Sequence, residues 1–177
     1  MGLRFENLDD DTRRCMLEEL EEDVAQGTLY LSPRLSEIGQ VEFESLLRRA
    51  IESGSEVSLA EELRAAGRMR STSPWKKGNG GGATMALPAT APGHLAECEF
   101  HRFYARGLCR RALQQKITTL QIYRARADSD GRSRYDSMIG VRIDAGSLLE
   151  DLQTRREVAP PSGLPQCPDS GLSVRIA

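Results

Sequence analysis

The chain has 177 residues, 39% apolar and 28% charged, with a net charge of −2; this composition excludes wholesale disorder, collagen-like repeats and a membrane class. No apolar run approaches the roughly 20 residues that cross a bilayer, and the length suits one ordinary domain or two small ones rather than a large multi-site enzyme. A soluble, cytoplasmic protein is expected, and four cysteines and two histidines leave little material for metal or thiol chemistry.

The small net charge hides a segregation. Residues 1–66 hold 16 Asp/Glu against 7 Lys/Arg, whereas residues 67–127 hold 2 against 11. Blocks of opposite sign either neutralise one another, within or between chains, or leave the basic block free for an anion.

The first apolar period follows Asp9, which suits a helix N-cap, with Asp10 and Asp11 in the first turn where the dipole favours carboxylates. Met16, Leu17, Leu20 and Val24 form its stripe and Gly27 its stop. Glu18, Glu19, Glu21, Glu22 and Asp23 fall on the opposite side, an acidic face that a basic partner surface would relieve. Thr28 to Leu31 reads as a short strand. Phe43, Leu46, Leu47, Ala50 and Ile51 predict a second helix from about Gln40 to Ser53, and the Ser58-Leu59-Ala60-Glu61 capping-box pattern a third, ended by Gly67. Residues 1–66 therefore read as an acidic helical unit.

From residue 67 to 93 the apolar period disappears. Arg68, Arg70, Lys76 and Lys77 stand among glycines and prolines, which predicts a flexible basic linker. The Gly78-Asn79-Gly80-Gly81-Gly82 run is no phosphate-binding loop, since the lysines precede it, no Gly-Lys-Ser/Thr follows and no strand is expected to lead into it. The remainder, 94–177, reads as a basic α/β unit: a long helix from about His94 to Gln115, a strand from Thr118 to Arg126, and a turn at Asp128 to Gly131. A strand around Ile139, Val141 and Ile143 follows, then a helix through Leu148, Leu149 and Leu152 and a last strand through Leu172, Val174 and Ile176. The expected fold class is α+β, a helical unit and an α/β unit with a small mixed sheet.

The most informative stretch is Glu97 to Arg111. Arg102, Arg106 and Arg110 are four apart and project as one stripe beside Phe100, Tyr104 and Leu108. With Arg111, and with Arg124 and Arg126 on the next strand, they could clamp phosphates or stack on bases, with Lys76 and Lys77 as a flexible arm. The other account pairs the same stripe with Glu18 to Asp23 or with a partner's acids, because a basic stripe alone is unspecific. His94, Cys98 and His101 span roughly 10 Å of helix axis, too far for one metal ion. The cysteines show no disulfide framework and are expected reduced. No metal, no cofactor and no nucleophile–base pair is predicted.

The stretches Leu8 to Glu19, Leu29 to Leu35, Glu99 to Cys109 and Pro168 to Val174 resemble a group of uncharacterised bacterial proteins, some associated with prophage or other mobile elements. The resemblance implies a shared fold and a mobile-element setting, and no mechanism. His101 departs from the smaller polar residue the resemblance implies there, which weakens any catalytic or ligand role for it. Together these features point to a non-enzymatic assembly or adaptor protein, possessing an acidic helical head and a basic α/β body that contact a protein partner or the body and head of neighbouring copies across a mobile linker, and no membrane. A nucleic-acid-binding accessory factor built on the arginine helix is the first alternative, and an enzyme with an unrecognised site the second.

Overall fold

A computed structural model describes residues 2–65, 67–76, 84–126, 135–154 and 170–177. Cap chemistry sets the helix ends. Asp9 accepts the Thr12 N–H at 3.0 Å and opens α1 (Asp10–Gln26); Gly27 closes it at φ 66°, a left-handed conformation that costs a residue without a Cβ little. Ser36 accepts the Gly39 N–H and opens α2 (Glu37–Ser53), three residues ahead of the predicted start. In α3 (Glu56–Arg64) the cap is Ser55, and Ser58 is its reciprocal partner, accepting the Ser55 N–H at 2.9 Å. The predicted Ser58–Glu61 box is thus displaced by one turn. Thr28 to Leu31 is irregular rather than a strand, and the nearby chain is tied down by an isolated bridge between Leu35 and Met69.

Residues 67–76 and 84–93 hold regular structure where a linker was expected. An antiparallel pair forms from β1 (Thr72–Lys76) and β2 (Thr84–Ala86), so a strand does lead toward the glycine run. The flexibility predicted for 77–83 lies outside the described residues, as does the turn at Asp128 to Gly131. Helix α4 (Ala91–Gln114) starts inside the predicted linker, with Pro92 in its first turn, where the missing N–H costs nothing.

The fold is α+β, and its larger sheet is antiparallel throughout among the described residues rather than mixed, in the order β4-β3-β5. β3 (Thr119–Arg124) is central, flanked by β4 (Arg142–Asp144) and β5 (Leu172–Arg175). Its register pairs Leu120 with Ile143 and Ile122 with Val174, all buried, and sets Tyr123 beside Ser173 on the opposite face. Ile139 and Val141 lie outside β4 and stay half-exposed, so the expected alternation is carried by Ile143 alone. Asp144 accepts the Ser147 N–H at the head of α5 (Ala145–Thr154).

One apolar core joins the two halves of the chain. Met16 and Leu20 of α1, Phe43 and Leu47 of α2 and Leu59 of α3 share it with Phe100 and Leu108 of α4, Ile122 of β3 and Leu148 of α5. α4 is the hub, packing on α1, α3 and α5. Gly107 makes the α1 crossing close: a Cβ there would stand 2.6 to 3.0 Å from Met16 Cγ, N and Cα. Ahead of α1, residues 2–5 run without regular structure over Tyr123 and the chain turns at Glu6–Asn7 beside Tyr104.

Candidate functional site

The close crossing of α1 and α4 brings the acidic face and the arginine stripe into register. Arg106 is 1% exposed and Glu19 fully buried, and a charge sealed this way persists only when paired. Arg106 donates from Nε to Glu19 Oε2 at 2.9 Å and from Nη1 and Nη2 to the two Asp23 carboxylate oxygens at 2.7 and 2.9 Å. Its guanidinium also lies 4.9 Å from the Phe103 ring centroid. Burial alone would lower the Arg106 pKa; bonding and attraction from Asp23 and Glu19 outweigh it and hold the pKa above the ordinary guanidinium value.

One turn on, Arg110 donates from Nε to Glu19 Oε1 at 2.5 Å, pairs with Glu22, and approaches Glu18 at 3.6 Å. Arg111 reaches the N-cap of α1, donating to Asp9 Oδ1 at 2.7 Å and to Thr12 Oγ1 at 2.9 Å. Although partial burial works against the Asp9 charge, the bonds from Arg111 and Thr12 leave its carboxyl below the usual range. Gln153 of α5 closes the seam by donating to Glu19 Oε2 at 2.9 Å.

Glu18, Glu19, Glu22 and Asp23 therefore meet Arg106 and Arg110 inside one chain, whereas Glu21 pairs with Arg48 of α2 at 3.2 Å. Arg102 turns to α5, donating to the Leu152 carbonyl at 3.2 Å, with Glu99 3.9 Å away. Arg126 makes two 3.0 Å bonds to Glu97, and Arg124 pairs with Asp136. The six arginines thus form no common surface patch: Arg102 and Arg106 are sealed, and the rest hold carboxylates. Lys76 ends β1 with its side chain outside the described set, and Lys77 lies outside the described residues altogether.

The histidine and cysteine positions separate as well. His101 is 1% exposed and sits 3.1 Å from Ser173 Oγ, whereas His94 is exposed, 3.6 Å from Cys98 Sγ. Cys98 is disulfide-bonded, against the expectation of reduced thiols; Cys15 and Cys109 are free and buried, and burial pushes both thiols up, away from the reactive thiolate. Among the described residues no group of three or more His, Cys, Asp and Glu side chains could hold a metal ion.

Sequence reasoning missed a second cluster, because its members are scattered over the chain. The Tyr123 hydroxyl donates to the Arg4 carbonyl at 2.5 Å and accepts the Glu6 N–H, while the Tyr104 hydroxyl donates to the Val174 carbonyl and accepts the Asn7 N–H. Burial raises both phenol pKa values, so both remain donors. Phe5 packs with its ring centroid 4.6 Å from Tyr104 and 5.5 Å from Phe100. The alternation of Leu3 and Phe5 was the one available signal.

Helix α2 leaves two apolar side chains outside. Ile38 is 57% exposed and Val41 84%, beside a shallow hollow lined by Ser36, Glu37, Gly67 and Arg70. No helix among the described residues is long and apolar enough to cross a membrane. No family model, curated protein or solved structure matches the chain.

Proposed function

We propose that this protein is a non-enzymatic assembly or adaptor protein that binds other proteins, a second copy of itself first among them. The observation that carries this reading is the exposed pair Ile38 and Val41 on α2. The same helix buries Phe43, Leu46, Leu47, Ala50 and Ile51, so its inner stripe is complete without them. Apolar side chains one turn apart, rimmed by the polar residues of the adjoining hollow, are the ordinary composition of a contact surface.

The charge pattern supports the reading from the other direction. The acidic and basic side chains that might have formed a catalytic or phosphate-binding centre hold one another across the α1–α4 crossing, and the most central of them have no access to solvent. A nucleic-acid backbone would have to displace Glu19 and Asp23 to reach Arg106. Outward contacts thus fall to the apolar residues. A mobile-element setting, implied by resemblance alone, agrees with an assembly role.

Sedimentation of the full chain tests this. Ile38→Asp with Val41→Asp should shift association to higher protein concentration with little change in melting temperature, since both side chains face solvent in the isolated chain. Unchanged association by the double variant would count against the α2 surface.

A further inference from the structure

Residues 2–8 are read by the rest of the molecule as a bound peptide would be. From Leu3 to Glu6 the side chains alternate, Leu3 buried, Arg4 exposed, Phe5 half-buried and Glu6 exposed, so that the two apolar ones turn inward, and the chain then turns at Glu6–Asn7. Leu3 packs with Tyr123 and Ala125, and Phe5 with Phe100 and Tyr104. Glu6 pairs with Arg175 at 2.8 Å, and Asn7 Oδ1 accepts the Ile176 N–H at 2.9 Å. Nearly every one of these partners belongs to α4, β3 or β5.

The attachment is also economical in main-chain bonds. Among the described residues one main-chain bond, Arg4 N to Ala125 O at 2.8 Å just past β3, links this segment to the backbone around the sheet; side-chain hydroxyls of Tyr123 and Tyr104 satisfy the Arg4 carbonyl and the Glu6 and Asn7 N–H groups. Hydroxyls rotate and re-form their bonds with any backbone placed over them, so the segment can leave without unzipping a strand from the sheet. Leu8, packed against the main core, and Asp9, held by Arg111, lie between Asn7 and α1.

We propose that this surface is a recognition site for a segment with the Leu-x-Phe-Glu-Asn pattern that turns at its Glu-Asn pair, filled by residues 2–8 of the same chain in the isolated molecule and by residues 2–8 of a second copy on assembly. The inference rests on the assembly reading above and names one of its contacts. An exchanged segment makes the same bonds as the original one, so the two arrangements differ chiefly in the entropy of bringing copies together. In the closed chain the segment competes at an effective concentration of about millimolar. Exchange is therefore favoured once another surface has already gathered copies.

A fluorescent peptide of residues 2–8 serves as a stand-in for the second copy's segment, titrated into the full chain and into Phe5→Ala, whose own segment has lost its ring anchor. Phe5→Ala should bind the peptide at least about tenfold more tightly than the wild type, because a larger fraction of its sites is vacated; adding Tyr123→Phe should weaken that binding. No binding to either protein, or equal binding to both, overturns the site. A second measurement does not depend on the stability of Phe5→Ala: Leu3→Cys combined with Ala125→Cys, oxidised at rising protein concentration, should shift its engineered link from within one chain to between two. A link that stays within one chain at every concentration overturns the exchange. It leaves the α2 surface, tested by sedimentation, untouched, so the two failures are distinguishable.

Discussion

Glu19 on α1 and Arg106 on α4, 87 residues apart in sequence, meet without solvent at 2.9 Å across the close crossing that Gly107 permits. Their contact accounts for part of the charge segregation: Glu18, Glu19, Glu22 and Asp23 of the acidic block face Arg106 and Arg110 of the basic one across an internal seam. Removing one member of such a pair leaves the other buried and uncompensated.

Arg106→Met should therefore destabilise the fold by about 3–5 kcal/mol, the usual cost of breaking a buried ion pair from one side. Urea unfolding measures it. Arg14→Met, at an exposed pair with Asp11 on the same helix α1, should cost less than about 1 kcal/mol. Equal losses for both variants would show that the seam contributes no more than a surface pair.

Gly107→Ala tests how close the helices stand. By helix propensity alone alanine should be better by about 1 kcal/mol. The added Cβ would meet Met16 backbone and side-chain atoms at 2.6 to 3.0 Å, and overpacking of this kind costs about 1–3 kcal/mol. The expected net effect is a loss of stability. A gain on thermal unfolding would mean that α1 and α4 are farther apart than described here.

Much of the helical half was legible in the sequence. Asp9, Gly27 and the stripe from Phe43 to Ile51 carry local information, since capping and period need no knowledge of tertiary contacts. Val24, placed on the apolar stripe, is 37% exposed, while Glu19 and Asp23, placed on the acidic face opposite it, are buried; hydrophobic periodicity cannot recognise a helix face whose partner supplies the opposite charge. The arginine stripe was visible and its intramolecular partners were among the alternatives, but Arg102 diverges to α5 because burial, invisible in a periodicity plot, selects a carbonyl acceptor for it. The docking of residues 2–8 was unreadable, as Tyr104, Tyr123 and Ile176 come together only in the fold.

Glu56 gives a pH signature. It is 6% exposed at the head of α3, and burial, with the like charge of Glu97, raises its carboxyl pKa although its own N–H and that of Leu3 act the other way. A carboxyl whose folded pKa lies above its unfolded value favours the folded state when protonated. That advantage is complete below the ordinary glutamate range and is lost as pH rises through the folded value. Glu56→Gln, which keeps an acceptor for the Leu3 N–H, should melt at a higher temperature than the wild type at neutral pH, with the gap closing on acidification. A gap constant in pH would contradict the raised value.

The most direct test is the salt dependence of self-association, followed by light scattering over a protein concentration series. With the α1–α4 charges already paired within each chain, copies that meet through Ile38 and Val41 should stay associated, or associate more strongly, from low to high salt, because screening weakens charge contacts and leaves apolar burial intact. Dissociation on adding salt, or a monomer at every concentration and salt level, would contradict the account.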